Sequence, residues 1–177
     1  METTERIVEA YVRYIKKWAT IPNIRCKGQF EIDLLAIDPI TNKRYHIESG
    51  VSVSGGYSKL TSRPFSPEEL KKRVKQAEQR RTLGYFAKRK FSSPGVVSAL
   101  KSYGFKKGKY SKIIVSWGWD ADVPEKAKKL GIKLWDFRKI LHEIAHEFED
   151  ERTYFTDDTL RTLHLFAAAE KHKGEDC

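Results

Sequence analysis

Glu31-Ile32-Asp33-Leu34-Leu35-Ala36-Ile37-Asp38, the turn Pro39-Ile40-Thr41-Asn42, then Arg44-Tyr45-His46-Ile47-Glu48-Ser49-Gly50-Val51 is the stretch that decides the fold. Both runs are rich in β-branched and aromatic residues, and the Asp-Pro and Asn between them supply turn chemistry. The pattern predicts two adjacent strands, Phe30–Ile37 and Tyr45–Val53, joined as a hairpin. Leu34 to Ile37 is apolar without alternation, which predicts a strand covered on both faces. Each strand carries one acid inside its apolar run, Asp33 and Glu48. On the second strand Glu48 shares a face with His46, Gly50 and Ser52, against Tyr45, Ile47, Val51 and Val53 on the other. An exposed hairpin edge would explain that polar stripe; so would a buried site.

Outward from the hairpin, residues 5–18 predict an amphipathic helix through Ile7, Tyr11, Tyr14, Ile15 and Trp18, ended by Pro22. A short strand follows at Ile24–Lys27. Ser66-Pro67-Glu68-Glu69 is a helix start with a serine cap and proline in the first turn, and predicts a helix to about Arg81 with Leu70, Val74 and Ala77 inward. Ser93-Pro94 opens a shorter helix ended by Gly104. The remainder predicts a strand at Tyr110–Trp117, a helix at Pro124–Leu130, a strand at Ile132–Trp135, a helix from Asp136 to about Glu149, and a last helix from Thr156 to Lys171. Antiparallel strands early and a strand–helix–strand crossover later imply an α/β fold, a mixed central sheet flanked by helices. Residues 1–150 form the expected core, and 151–177 add a C-terminal helix and polar tail to the same domain.

The chain has 177 residues and a formal net charge of +10. From Glu68 to Lys112 there are fourteen Lys or Arg against three acids, with Tyr85, Phe86, Phe91, Tyr103 and Phe105 interleaved. Clustering of this kind is the footprint of a protein that meets phosphate backbones, although a solvated helix face is the plainer alternative. Lys71, Lys72, Lys75, Arg80, Arg81, Lys88, Arg89 and Lys90 are the candidate nucleic-acid contacts. No eighteen-residue apolar run and no charged-then-apolar leader stands in the sequence. Cys26 and Cys177 form neither a disulfide framework nor a metal spacing. The expectation is a soluble cytoplasmic protein without membrane contact.

Glu5-Arg-Ile-Val8, Glu31-Ile-Asp33-Leu-Leu-Ala36 and His46-Ile-Glu48, with the later Ile113–Trp117 and Gly131–Phe137, resemble the PD-(D/E)xK nuclease superfamily, the restriction-endonuclease-like fold. The resemblance covers roughly residues 5 to 148. It implies a metal-dependent nuclease that hydrolyses phosphodiester bonds, with DNA the expected substrate and a homodimer as one arrangement. Asp33 and Glu48 are implied as ligands of Mg²⁺ (or Mn²⁺), with Glu5 completing the set. Glu9 has a simpler partner in Arg13 one turn on. The chemistry suits the residue types: Mg²⁺ takes oxygen ligands, keeps several waters, and both activates water and neutralises phosphate charge.

One position departs from that pattern. Two residues after the glutamate the family usually places a lysine, and here stands Gly50. Another basic residue could reach in, with Lys59, Lys72 and Lys75 as candidates and Lys59 and Lys72 foremost. Metal alone could activate water. Or the chain is a catalytically inactive nucleic-acid-binding or assembly module. A separate motif, His142-Glu143-Ile-Ala-His146, matches the zinc-metallopeptidase pattern of two histidines one turn apart with a glutamate base. Its histidines fall far around the wheel from the apolar arc of Ile140, Leu141, Ile144 and Phe148, which favours an ordinary solvent-facing helix. Trp117-Gly-Trp119 ends a strand with two aromatics, for which core packing is a simpler reading than base stacking.

Overall fold

The computed structural model describes residues 2–51, 59–148 and 155–173. Five strands form one sheet in the order β1 (Ala19–Cys26), β2 (Phe30–Ile37), β3 (Arg44–Ser49), β4 (Tyr110–Ser116) and β5 (Ile132–Asp136). β1, β2 and β3 run antiparallel, while β3, β4 and β5 run parallel. The chain therefore has the mixed α/β architecture expected from its sequence. β3 is the central strand and the place where antiparallel pairing gives way to parallel. The hairpin turn is held by Asp38, whose Oδ1 accepts from the backbone N–H of Ile40 and Thr41.

Strand alternation divides the core. Leu34, Ala36, Tyr45, Ile47, Ile113 and Val115 face α1 (Thr3–Ala10), α7 (Phe137–Glu147) and α8 (Asp158–Lys173), so the C-terminal helix packs into the same core through Leu160. On the other face, Leu35 meets Val96 and Leu100 of α5 (Pro94–Ser102), while Ile114 meets Phe86, Phe91 and α6 (Val123–Lys129). Trp117 and Trp119 pack against these cores, as the simpler reading of that pair requires. No helix among the described residues is long and apolar enough to cross a membrane.

Several local expectations need correction. The segment around Pro22 is not a break but part of β1, which starts at Ala19. An edge strand tolerates proline because one side of its backbone needs no ladder partner. The first helix leaves α-geometry at Tyr11–Ile15 for a π-helical turn, closed by Lys16 N–H donating to Tyr11 O. β3 ends at Ser49 rather than Val53, and Ser52 and Val53 lie outside the described residues.

The expected helix from Ser66 to Arg81 is two helices, α2 (Pro67–Leu70) and α3 (Arg73–Arg80), separated by extended backbone at Lys72. Gln79 causes the reorientation: it turns inward to accept from Ser66 N–H and to donate to Glu69. Val74 consequently points to solvent, 92% exposed, and Ala77 is exposed as well. The short α4 (Leu83–Tyr85) runs into a second π-helical turn, Phe86–Lys90.

Candidate active site

Leu34 pairs with Ile47, so one further step along this antiparallel register sets Asp33 opposite Glu48. The ladder stops there. Ser49 N–H donates to Asp33 Oδ2 at 2.8 Å instead of to a backbone carbonyl. On the far side, Asn23 at φ 52° interrupts the β1–β2 register opposite Asp33. The two acids therefore sit on the same sheet face at the carboxyl end of β3, where open α/β sheets place their ligands. His46 and Glu48 are both 0% exposed. His46 and Glu48 are thus buried, and the exposed-edge reading falls for them.

Lys90 completes the cluster. Its Nζ lies 2.8 Å from Asp33 Oδ1 and 2.5 Å from Glu48 Oε2, and it donates to the Glu31 carbonyl at 3.2 Å. An ammonium has three N–H donors, and these are three acceptors. The other Glu48 oxygen, Oε1, stands 2.6 Å from His46 Nε2. Sequence reasoning assigned Lys90 to a backbone-gripping surface, but its side chain is only 17% exposed and points inward.

The reason lies at Gly50. A Cβ there would stand 2.8 Å from Phe86 Cζ, so the place a lysine would take after the glutamate is filled by an aromatic ring. Phe86 opens the π-helical turn whose last residue is Lys90, and Phe91 N–H donates to Phe86 O across five residues. A π-turn inserts one extra residue and re-aims the side chains beyond it. The same turn that denies Gly50 a side chain delivers the ammonium. No signal in the sequence marks this, since the pairing joins residues 57 apart.

The nominated substitutes do not reach the acids. Lys59 is exposed, beside Leu60, which is buried and stitched to Gly118 and Asp120 past the end of β4. Lys72 is exposed at the extended break between α2 and α3, and Lys75 is exposed beside Glu78 at 3.8 Å. Glu9 accepts from Thr20 rather than pairing with Arg13.

A cleft of about 300 Å³ opens beside the cluster, lined by Glu5, Asp33, Gly50, Arg80, Arg81 and Lys90 among others. Glu5 is thus at the site, although its Oε2 also accepts from Glu2 N–H in the capping box of α1. Among the described residues no three His, Cys, Asp or Glu side chains converge as a ready metal cage; the acids converge on Lys90. Of the remaining candidate contacts, Lys71, Lys88 and Arg89 are exposed, with Arg89 lying over the Phe30 ring.

Burial, and then the charge of Glu48, pushes Asp33 up to about 7. Burial pushes Glu48 up to about 7 against the pull of Lys90. Burial also opposes the Lys90 charge, but the two carboxylates outweigh it and hold the ammonium above its ordinary range. Burial drives His46 down to about 3, so its imidazole is neutral at pH 7 and shares one hydrogen bond with Glu48 through Nε2. Burial, and next the nearby Asp33, raises Glu5.

These shifts fix a sign. Unfolded Asp and Glu lose their protons near pH 4, whereas the native pair retains them towards pH 7. In that window the native state binds more protons, so the pair's contribution to stability falls as pH rises. His46 acts oppositely: its contribution is full above its unfolded value and is lost as pH falls towards about 3. Denaturant unfolding between pH 4.5 and 7.5 should show Asp33→Asn gaining on the wild type as pH rises. A constant difference across that range would contradict the burial-raised acids.

The second motif is differently employed. Glu143 Oε2 accepts from Tyr11 Oη at 2.6 Å and from Lys16 Nζ at 2.8 Å. The π-helical turn of the first helix is what lets Tyr11 and Lys16, five residues apart, converge there. His142 and His146 are both exposed. Comparison with protein-family models, curated proteins and solved structures gave no match.

Proposed function

We propose that this protein is a metal-dependent nuclease with a restriction-endonuclease-like core, whose missing strand lysine is supplied by Lys90. The observation that carries this reading is the Asp33–Glu48–Lys90 cluster at the end of β3, opening on a cleft with Arg80 and Arg81. Three separate elements bring together the carboxylates and ammonium that phosphodiester hydrolysis uses.

The donor set fits a hard cation. Two buried carboxylates, with Glu5 on the same cleft, face one ammonium and keep a surplus of negative charge. All the available donors are oxygens, which suits Mg²⁺ or Mn²⁺. Asp33 and Glu48 would hold the ion, with Glu5 assisting from the rim. The ion would supply an activated water and neutralise phosphate charge.

The chain's own residues do the rest. Arg80 and Arg81 present guanidinium groups to a phosphate entering the cleft. Lys90 carries a fixed positive charge beside the acids, placed to stabilise charge developing on the phosphate. His46 holds Glu48 by one oxygen and leaves the other facing Lys90.

One observation favours a second reading, a binding module without catalysis: all three Lys90 protons have acceptors within the protein. Incubation with duplex and single-stranded DNA and with RNA, in Mg²⁺ or Mn²⁺, separates the two. The nuclease reading expects metal-dependent cleavage that Asp33→Asn lowers by about 100-fold or more. Cleavage that survives the substitution would remove the site assignment; binding without cleavage of any substrate would favour the module.

A further inference from the structure

Helix α3 contributes almost nothing to the core. Of its eight residues only Gln79 is buried, and its principal neighbour is α2. By the helical step of about 100° per residue, Arg73, Val74, Ala77 and Arg80 share an arc of about 120°, with Gln79 opposite. Ala77 and Arg80 line the cleft, so this stripe continues the cleft wall outward to Val74. The stripe contains no acid, and Glu78 beside it is held by Arg63 and Lys75. No Asp or Glu occurs in the sequence between Glu78 and Asp120. A valine left 92% exposed on such a helix, at the edge of a stripe with two arginines, is unexplained by folding.

We propose that α3 is a groove-entering helix that selects B-form duplex DNA, reading the major groove with Arg73, Val74, Ala77 and Arg80 beside the Asp33–Glu48–Lys90 cluster. The dimensions agree. Eight residues span about 12 Å, and the major groove of B-DNA, about 12 Å wide, admits one α-helix. The deep, narrow major groove of A-form RNA excludes it. Val74 offers an apolar contact to a thymine methyl group, and the arginines offer forks to guanine edges or flanking phosphates. The charge of the stripe complements the duplex, and Lys71, Lys72 and Lys75 would lie over its backbone.

The inference rests on the nucleic-acid reading of the cleft but can be tested apart from cleavage. The full chain is titrated in EDTA with a 30-base-pair DNA duplex, an RNA duplex of the same sequence and the single DNA strand. Duplex DNA should bind roughly tenfold or more tightly than either alternative. Val74→Glu should lose roughly tenfold on duplex DNA, while Ile40→Glu, an equally exposed apolar position on the β2–β3 turn, should change little. Both variants should melt like the wild type, since neither side chain is buried. Equal losses in the two variants, or equal affinity for duplex RNA, would overturn the proposal. Parallel assays with Mg²⁺ keep the readings distinct. Duplex binding through Val74 without any cleavage sustains the helix role and removes the nuclease. Cleavage indifferent to Val74→Glu removes the helix role alone.

Discussion

Lys90→Ala should abolish most cleavage and, in the same protein, produce a stability defect that depends on pH. Removing a group positioned to stabilise developing charge lowers turnover by about 10²–10³. The stability effect has a separate origin. Without the ammonium, Asp33 and Glu48 remain buried together with no compensating charge, and breaking a buried pair costs about 3–5 kcal/mol. Protonation relieves that cost. At pH 5 both carboxyls, already raised by burial, take up protons, so the deficit relative to wild type should be larger at pH 8 and shrink towards pH 5. Mg²⁺ should stabilise the variant more than the wild type, because it restores positive charge to a site that has lost its own. Thermal melts at both pH values, with and without Mg²⁺, read all of this without a substrate. A variant that cuts at the wild-type rate would end the role assigned to Lys90.

Gly50→Ala, a change of one methyl group, should destabilise the protein by about 1–3 kcal/mol through overpacking. Its Cβ would meet the Phe86 ring at 2.8 Å, and Phe86 lies in the second core beside Leu83 and Ile114. The ring must move, and it is rigidly connected to Lys90 at the other end of the π-turn. Cleavage should therefore fall with stability, although Gly50 itself carries no chemistry. Phe86→Leu, which vacates ring volume, should be harmful alone yet partly relieve Gly50→Ala. A double-mutant cycle should return a coupling of about 0.5–3 kcal/mol, as contacting residues do. Strict additivity would show that the glycine is not there to admit the ring.

The hairpin and the two parallel strands were legible because periodicity and turn chemistry are local properties. Asp38 and the apolar run Leu34–Ile37 announced their roles directly. That Asp33 and Glu48 lie on neighbouring strands was also legible, but only the Leu34–Ile47 register of the structure sets them opposite each other. Lys90 was not. Its neighbours Lys88 and Arg89 are exposed, and nothing within the run Lys88-Arg89-Lys90 marks the third as the inward one. A π-turn shifts the helical phase by one residue, and that shift escapes any reading based on a regular period. Val74 failed for a similar reason. Its spacing with Leu70 fitted an inward stripe, but a break at Lys72 and the polar grip of Gln79 rotated the helix.

The Lys90 turn also separates the site in time. The two acids belong to a hairpin complete by residue 49, and their counter-charge comes some forty positions later in the chain. On a ribosome, the acids would emerge with no cation to complete them and with Gly50 as a vacant place. The Phe86 ring and the Lys90 ammonium stand at the two ends of one π-turn, so both are missing until that turn has been made. Under the proposed function this amounts to an assembly lock: a chain made only as far as the hairpin holds the two acids without the ammonium that completes them.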